Sequence, residues 1–429
     1  MYYSNFSQMA FKLSNQQESF LKRVDNICKI IRSYEEQCYL EEKFNDKVIP
    51  EFAKIGMLGC PISRKYGGLG YDILTYALAI ERIGQEGSSL RTFFSAHTSL
   101  GQMALQSWAT DEQKKEYLLK TTNGTSIMAF ALTEPEAGSD PSSMTTKFEN
   151  KDNENYVLNG KKHWIGNGTF ADVIIVFAKE SNTNDSNSSI YGKVSAFIVD
   201  KNSCLGLQVQ EIKNKIGLLT VKNAEICFEN CIVPKKNLLG LKGKGLSVAY
   251  SSLIDGRLSV AAGGLGVMQD CLEQSIVYSK SRQQHDSVLA KKQLVQEHIA
   301  IMAANIESSK WLIYRAAEAR QELHDYVEHV KSIENSWQAK LSSSNEEYLL
   351  LRKEADRLAA IAKFYVTNAA FDTSNRAVQI FGAQGYRKTN RVARHFLDSR
   401  ATTIYEGTNE ILELKIASMI LGKNYKAYR

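Results

Sequence analysis

Long hydrophobic runs are missing from this sequence of 429 residues. None of its apolar stretches approaches the roughly 20 residues that a helix needs to cross a bilayer. The opening MYYSNFSQMAFKLSNQQ shows neither the charged-then-apolar pattern of a secretion signal nor the arginine-rich, acid-poor composition of an organelle transit peptide. We therefore expect a cytoplasmic protein that does not enter a membrane.

A large excess of one charge is missing as well. The 53 basic and 47 acidic side chains leave a net charge of +6, and the basic residues are scattered along the chain. A nucleic-acid-binding surface needs clustered basic residues. We therefore expect no nucleic-acid partner.

Paired cysteines are the third absence. The seven cysteines are odd in number and form no C-x-x-C motif, which predicts reduced thiols in packed positions. Cys227 and Cys231 flank the end of a predicted strand without a nearby histidine, so we expect no zinc and no other metal there.

The chain is too long for one ordinary core, and its patterns divide it into three parts. Residues 1–124 have apolar positions three and four apart, which predicts a helical domain. Residues 125–240 contain short runs rich in Val, Ile, Phe and Tyr, which predict an antiparallel β domain with a hairpin at Asn159-Gly160. Residues 241–429 are helical again and predict a bundle. The fold class is therefore α+β.

A charged stretch within the bundle predicts an additional feature. Residues 322–360 have the pattern of two helices joined at SSSNEE, with Asn345 capping the second helix. This connection is longer than an ordinary one and predicts a helical hairpin that projects from the bundle. Such a hairpin would meet a carrier protein or another subunit, or it is an elaboration without a partner.

Two glycine clusters predict close packing rather than phosphate binding. No predicted strand precedes the glycines of KYGGLGYD, so we interpret them as a turn with positive φ angles. The glycines at 263–266 resemble a dinucleotide fingerprint, but their flanks are helical, so they predict close contact between helices.

Two further segments point to a ligand. The segment LTEPEAGSDP, residues 132–141, is predicted to be irregular backbone that either presents hydroxyls and amides to a ligand or forms a plain surface turn. TIYEGTNEIL places Glu406 between an aromatic ring and a glycine. Thr403 and Glu406 have the spacing of a capping box, whereas Gly407 favours a sharp turn close to a ligand.

Together these segments resemble the acyl-CoA dehydrogenase family. The matching pieces occur in family order between residues 45 and 423: YGGLG, LTEPEAGSDPSSM, LNGKKHWIGNG, FENCIVPKKNLLG, DGRL with GLGVMQ, YSKSRQQ, QIFGAQGY and IYEGTNEI. The resemblance implies an N-terminal helical domain, a middle β domain and a C-terminal four-helix bundle. It also implies bound FAD, an acyl-CoA or acyl-carrier-protein substrate, an electron-transferring flavoprotein or similar acceptor, and a homodimer or homotetramer.

The resemblance assigns roles to individual residues. Glu406 matches the catalytic base that removes the proton α to the thioester, and burial beside Tyr405 should raise its pKa. The residues that match the FAD site are Phe130, Leu132, Thr133, Ser139, Trp164, Gly166, Arg282, Gln379, Gly382 and Thr408, with part of the adenine-diphosphate contact made across a subunit interface. The residues assigned to the substrate are Arg91, Ser95, Arg257, Tyr405 and Gly407.

Arg91 carries an indication of the substrate. Its setting, SSLRTFFSAHTSLG, is similar to that of an arginine in glutaryl-CoA dehydrogenases, where a carboxylate at the end of the acyl chain would pair with it bidentately. The alternative is a solvated arginine on a helix surface. Ser95 and His97 would be neighbours in the pocket or polar residues of the core.

Several positions depart from the family pattern. Gly166 replaces a threonine whose hydroxyl commonly contacts the flavin, and His285-Asp286 replace a Phe-Gly pair. Leu219 and Val221 replace an arginine and a small hydroxylated residue. Departures of this kind suggest specialisation, for example towards an acyl group on a carrier protein. They also keep two alternatives open, a flavin oxidase or monooxygenase and a non-catalytic, nucleic-acid-binding member of the family.

Overall fold

The computed structural model describes residues 13–181, 194–333, 345–425 and 427. Its N-terminal part is helical, as predicted. A capping box between Ser14 and Gln17 starts the first helix, whose apolar stripe faces the core. The helices are α1 (Asn15–Leu40), α2 (Val48–Lys54), α3 (Ile73–Glu86), α4 (Ser88–Phe94), α5 (Met103–Trp108) and α6 (Asp111–Thr122), and a π-helical segment, Ser95–Gln102, joins α4 to α5.

The middle part is a sheet. Its strands are β1 (Met128–Ala131), β2 (Lys147–Asn150), β3 (Asn155–Ile165), β4 (Val173–Glu180), β5 (Val194–Asp200), β6 (Leu207–Glu211), β7 (Ala224–Pro234) and β8 (Leu238–Leu239). The strand order is β6-β7-β3-β2-β4-β5-β8, with β1 beside β4. The pairings are antiparallel, as predicted, except at one edge of β4, where β1 and β2 both pair with it in parallel.

The predicted hairpin at Asn159-Gly160 is wrong, because both residues lie inside the continuous strand β3. The pairing of β3 with β7 shifts its register between Leu158 and Gly160, which is a β-bulge. Gly160 has a φ of +145°, and a Cβ there would lie 2.6 Å from the Cα of Thr146. The glycine therefore allows close approach of backbone rather than a chain reversal.

The C-terminal part is a bundle of long helices, as predicted. Its helices are α7 (Gly245–Ser281), α8 (Gln293–Ile333), α9 (Glu346–Phe381), α10 (Arg391–Thr402) and α11 (Asn409–Leu421). A short hairpin of two strands, Gln283–Gln284 and Ser287–Val288, turns through His285-Asp286 between α7 and α8. The glycines at 263–266 let α3 and α7 touch, since a Cβ on Gly266 would lie 2.7 Å from the backbone nitrogen of Gln85.

The described parts of the long hairpin lie against the rest of the chain rather than away from it. Asn345 caps α9 by accepting a hydrogen bond from the N–H of Tyr348 at 2.9 Å, as predicted. Tyr348 packs in a small apolar cluster with Ile254 of α7. At the far end of α8, the ammonium of Lys331 donates to the carbonyl oxygen of Gln106 at 3.2 Å. Residues 342–344, the first half of the SSSNEE join, lie outside the described residues.

Membrane-spanning helices and clusters of metal-ligating side chains are absent from residues 13–181, 194–333, 345–425 and 427. No helix in those ranges is long and apolar enough to span a membrane. No group of three or more His, Cys, Asp or Glu side chains in those ranges is arranged to hold a metal ion. None of the seven cysteines forms a disulfide, and five of them are buried, in line with the predicted packed thiols.

Candidate active site

The loop that carries Glu406 joins α10 to α11. Thr408 is the N-cap of α11, and its hydroxyl accepts a hydrogen bond from the N–H of Ile411 at 3.3 Å. Thr403 follows the end of α10, so the capping-box interpretation is wrong. Glu406 and Gly407 have φ angles of +60° and +91°. The glycine therefore permits a sharp turn, as predicted, and Glu406 takes a left-handed conformation that a non-glycine residue seldom adopts.

The carboxylate of Glu406 rests on α7. A Cβ on Gly256 would lie 2.7 Å from the carboxyl carbon of Glu406, so only glycine leaves room for it. The oxygen Oε2 is buried and has no hydrogen-bond partner within the described residues. Burial raises the pKa of Glu406 to about 7, against the positive charges of Arg257, Arg91 and Lys363. A carboxylate with a free oxygen and a pKa near neutrality is suited to accept a proton.

Arg257 and Gly407 belong to the support of this loop. The Nε of Arg257 donates to the backbone carbonyl of Glu406 at 3.2 Å, and its Nη1 pairs with Asp356 at 2.7 Å. The carbonyl of Gly407 accepts a hydrogen bond from the ammonium of Lys363 at 2.7 Å. Both residues, which the sequence assigned to the substrate, therefore hold the backbone around the candidate base.

Arg91 is buried, with 1% of its surface exposed, so the alternative of a solvated arginine is wrong. Its Nη2 donates to the hydroxyls of Thr92 and Tyr405. Its Nε and Nη1 have no partner within the described residues. The side chain lies over Gly263 of α7, where a Cβ would come within 2.7 Å of its Cδ. The absence of a side chain at Gly263 therefore leaves room for Arg91, and two of its donor atoms remain available to a ligand.

Arg91 and Glu406 lie on one face of α7. Their glycine seats, Gly263 and Gly256, are seven residues apart, which is two helical turns or about 10 Å. Ser259 lies between these seats, and Ser95 donates to its hydroxyl at 3.5 Å. The space between the carboxylate and the guanidinium is thus bordered by small polar side chains.

A small cavity continues from Ser259 between α3, α5 and α7. Tyr76, Met103 and Asp255 are among its lining residues. Tyr76 shares a hydrogen bond with Ser99 at 2.9 Å, which adds another hydroxyl to this part of the site. His97 does not reach the cavity, because its ring bonds the carbonyl of Thr121 and the N–H of Met128. His97 is therefore a polar residue of the core. Ser95 does not line this cavity, although it contacts Ser259, which does.

The residues assigned to the flavin lie along one edge of the sheet. Phe130 is buried in β1, and Leu132 and Thr133 follow this strand in half-buried positions. His163 donates its backbone N–H to the carbonyl of Thr133 at 2.9 Å, which places the end of β3 beside them. Trp164 is 52% exposed and has a φ of +59°. An aromatic ring held in the open by a left-handed backbone is a surface prepared for a planar ligand.

Gly166 links this edge to the candidate base. The nearest atom to a Cβ on Gly166 is the side chain of Ala96, at 3.6 Å, so the space above the glycine is open. Ala96 belongs to the same π-helical segment as Ser95, which contacts α7. The π-helical segment therefore lies between the sheet edge and α7, with Ala96 on the side of Gly166 and Ser95 on the side of Ser259.

Sequence models of three domains match this chain in order: "Acyl-CoA dehydrogenase, N-terminal domain" at residues 14–125, "Acyl-CoA dehydrogenase, middle domain" at 129–231, and "Acyl-CoA dehydrogenase, C-terminal domain" at 243–347 and 347–421. The chain belongs to the acyl-CoA dehydrogenase family. It is a flavoprotein oxidoreductase that dehydrogenates the CH–CH bond of an acyl thioester with FAD as cofactor.

Individual relatives cover nearly the whole chain. The short-chain specific acyl-CoA dehydrogenase of Clostridium acetobutylicum is 32% identical over 416 residues, which is 96% of this chain and 100% of that protein. A glutaryl-coenzyme A dehydrogenase solved with glutaryl-CoA has a TM-score of 0.85 at 29% identity, covering 98% of each chain. The prolyl acyl carrier protein oxidase AnaB has a TM-score of 0.83 at 31% identity, covering 96% of this chain and 100% of that one.

The sheet edge fits the FAD of an acyl-CoA dehydrogenase. The hydroxyls of Thr133 and Ser139 have no hydrogen bond to the described residues, and Ser139 is exposed on the loop after β1. Unused hydroxyls beside an open glycine and an exposed tryptophan match the needs of a ring system with phosphates. Phe130, Leu132, Thr133, Ser139, Trp164 and Gly166 would hold the flavin half of the cofactor.

The other residues assigned to FAD lie elsewhere in this dehydrogenase. Arg282, Gln379 and Gly382 are exposed together at one end of the bundle, where Tyr278 stacks on Phe381 with ring centroids 4.2 Å apart. Arg282 follows Gly256 by 26 residues, almost all in α7, which corresponds to about 39 Å. One chain therefore does not bring Arg282, Gln379 and Gly382 to its own Glu406. Thr408 is the only one of these four residues that lies in the loop that carries Glu406.

Sequence reasoning missed Lys363. This lysine of α9 is fully buried and bonds Gly407 and Asn409. A signal was available, because Lys363 follows Ala359 and Ala360 and precedes Val366 and Thr367 at the helical spacing of a buried face. A charged residue on such a face requires a partner.

Proposed function

We propose that Glu406 is the base of this acyl-thioester dehydrogenase and that Arg91 binds a polar or carboxylate end of the acyl chain. The observation that carries the proposal is the buried, unpartnered Oε2 of Glu406 on the same face of α7 as the two unused guanidinium nitrogens of Arg91. An acceptor for the α-proton and a binding point for the chain end are thus about 10 Å apart.

Glu406 can act on the thioester in two ways. Its carboxylate, with a pKa of about 7, is ionised in a large part of the molecules at neutral pH and can take the α-proton. Its backbone N–H has no acceptor within the described residues and is free to donate to the thioester oxygen, where charge develops as the proton leaves. Bound FAD would supply the acceptor for the hydride that leaves the β-carbon.

Arg91 favours a substrate with an acidic or strongly polar chain end. A buried guanidinium without a paired carboxylate destabilises the protein, and a substrate carboxylate that accepts hydrogen bonds from two of its nitrogens would remove that cost. The hydroxyls of Ser95 and Ser259, which lie between the two glycine seats, also suit a polar group in that space. The solved relative that holds glutaryl-CoA supports the dicarboxylic choice, and AnaB supports a carrier-bound choice.

The assembly would be at least a homodimer. Arg282, Gln379 and Gly382 would hold the adenine-diphosphate half of the FAD in a second copy, because they lie too far from Glu406 to reach the FAD of their own chain. Thr408 would lie beside the phosphates. An electron-transferring flavoprotein or a similar acceptor would remove the electrons. A cytoplasmic location stays a prediction.

The test is anaerobic mixing of the FAD-loaded enzyme with butyryl-CoA, glutaryl-CoA and the same acyl groups on a carrier protein, with the flavin absorption as the readout. Bleaching by one of them establishes the reaction and names the acyl class. A bound flavin that no thioester bleaches would contradict the proposal. Rapid turnover with oxygen would favour the oxidase alternative, and salt-dependent DNA binding without bleaching would favour the non-catalytic one.

A further inference from the structure

Lys363 is a buried cation placed directly behind the candidate base. It has no exposed surface, and its ammonium donates to the carbonyl of Gly407 at 2.7 Å and to Oδ1 of Asn409 at 2.8 Å. Within the described residues it forms no ion pair with a carboxylate. Burial lowers the pKa of Lys363 to about 7, although the nearby Glu406 acts in the opposite direction.

A lysine in such a place is costly to the fold. Taking an ammonium out of water without a paired carboxylate destabilises the folded protein, and a methionine or leucine of similar length would fill the same space without that cost. The position therefore calls for a role that an apolar side chain does not supply. Its two acceptors indicate the role, because Gly407 lies in the loop that carries Glu406 and Asn409 is the first residue of α11, directly after that loop.

The loop is held from two sides. Arg257 of α7 bonds the carbonyl of Glu406, and Lys363 of α9 bonds the carbonyl of the next residue, Gly407. Two consecutive peptide groups are thereby fixed at a place where both φ angles are positive. A left-handed backbone at a glutamate costs free energy and persists only when surrounding contacts impose it. The direction of these peptides also sets where the carboxylate and the N–H of Glu406 point.

Asn409 extends this support into α9. Its Nδ2 donates to the hydroxyl of Thr367 at 3.1 Å and to the side chain of Asn368 at 3.0 Å. Thr367 and Lys363 are one helical turn apart, so a single face of α9 holds the residues on both sides of Thr408. Side chains of α9 therefore bond both the loop that carries Glu406 and the first residue of α11.

We propose that Lys363 is a positioning residue for the reaction: its ammonium fixes the left-handed turn that aims the carboxylate and the N–H of Glu406 at the thioester. The proposal rests on the assignment of Glu406 as the base. The charge of Lys363 has a second effect, since it favours the ionised form of that carboxylate.

The electrostatic effect involves every charged group around Glu406. Arg257 on α7, Arg91 on α4 and Lys363 on α9 all favour its ionised form, and burial opposes them. Lys363 in turn faces Glu406, Glu410 and Arg257. Because Glu406 and Lys363 act on each other's charge, the loss of a proton from one of them changes the pKa of the other. Removing the lysine charge should raise the pH at which Glu406 becomes active as a base.

Two substitutions separate the two effects. Lys363→Gln keeps a donor for the Gly407 carbonyl and removes the charge, whereas Lys363→Met removes both. Thr367→Val is the matched control, because it removes a hydrogen bond to the same Asn409 without changing any charge. If Lys363→Met does not fold, Lys363→Gln carries the test alone.

The readout is the rate of anaerobic flavin reduction at saturating thioester between pH 5.5 and 9, using whichever of butyryl-CoA and glutaryl-CoA bleaches the unmodified enzyme. We expect Lys363→Met to lose at least tenfold in rate and to move the acidic midpoint upwards by about one pH unit. Lys363→Gln should show the same shift with a smaller loss in rate. Thr367→Val should leave the midpoint in place.

Hydrogen exchange gives a second readout that does not depend on turnover. Amides of residues 403–412 should exchange faster in Lys363→Met than in Thr367→Val, at equal FAD content. Equal rates and equal exchange of residues 403–412 in Lys363→Met and Thr367→Val would overturn the positioning role. An unchanged midpoint in both lysine variants would overturn the electrostatic effect. If Glu406→Gln still reduces its flavin, the assignment of the base itself fails, and the proposal for Lys363 fails with it.

Discussion

Arg91→Met tests the role of the buried guanidinium in both stability and substrate choice. In the ligand-free enzyme, Nε and Nη1 are buried donors without acceptors within the described residues. Each such donor costs about 1–3 kcal/mol, while the two hydrogen bonds to Thr92 and Tyr405 that the substitution also removes return about 1 kcal/mol each. The two donors together cost about 2–6 kcal/mol, so after the loss of about 2 kcal/mol we expect Arg91→Met to stabilise the ligand-free protein by about 2 kcal/mol, within a range of about 0–4 kcal/mol.

The same substitution should weaken selection for an acidic acyl chain. Two charge-assisted hydrogen bonds to a substrate carboxylate contribute about 1.5–3 kcal/mol each. Their loss, about 3–6 kcal/mol in all, should lower kcat/KM for glutaryl-CoA by at least roughly 100-fold relative to butyryl-CoA. The assays are thermal unfolding without ligand and kcat/KM for both thioesters under one set of conditions.

Arg394→Met is the matched control for this experiment. Arg394 is also a buried arginine with an unpartnered Nε, but it lies on α10 beside Glu36 and away from Glu406. Its replacement should affect unfolding without changing the ratio of the two kcat/KM values. The reasoning is refuted if Arg91→Met lowers kcat/KM for glutaryl-CoA and butyryl-CoA by the same factor, because the guanidinium would then not distinguish their chain ends.

Three further predictions concern the base, its seat and the cofactor. The folded pKa of Glu406 is raised from 4.5 to about 7, so its ionisation costs stability that begins to appear as the pH rises through 4.5 and is fully expressed above pH 7. Glu406→Gln should therefore have a free energy of unfolding higher than that of the unmodified enzyme by up to about 3 kcal/mol at pH 8, and by less than about 1 kcal/mol at pH 5. Gly256→Ala places a methyl group 2.7 Å from the carboxyl carbon of Glu406 and should slow flavin reduction at least 100-fold at unchanged FAD content; a normal rate would show that the carboxylate does not occupy this seat during the reaction. Arg282→Ala should weaken FAD binding at least tenfold, as measured by equilibrium dialysis. Mixing this variant with Glu406→Gln should restore some activity, because a hybrid dimer would contain one complete site. No recovery on mixing would contradict a site shared between chains.

The sequence predicts the catalytic loop well because its information is local. Glycine after Glu406 permits the turn, and the aromatic neighbour forecasts a buried acid with a raised pKa, which the structure confirms. Asn159-Gly160 shows the limit of local signals. Its turn preference is overridden by pairing with β7, a strand that lies more than sixty residues later.

Arg91 and Lys363 show why burial was harder to predict. Helical spacing places Arg91 on α4 but gives no information on Gly263, which makes room for the guanidinium from a distant helix. Lys363 is retained on a buried face by carbonyls of a loop more than forty residues away. Arg282 presents a different limit, because its partner in the proposed cofactor site would be another copy of the chain.

The most direct test of the account is anaerobic flavin reduction by the best thioester of the panel in the unmodified enzyme and in Glu406→Gln, both loaded with FAD to the same extent. We predict that the unmodified enzyme bleaches within seconds and that Glu406→Gln, with normal FAD binding, is slower by at least 1,000-fold. Equal bleaching by both proteins would contradict the assignment of Glu406 as the base.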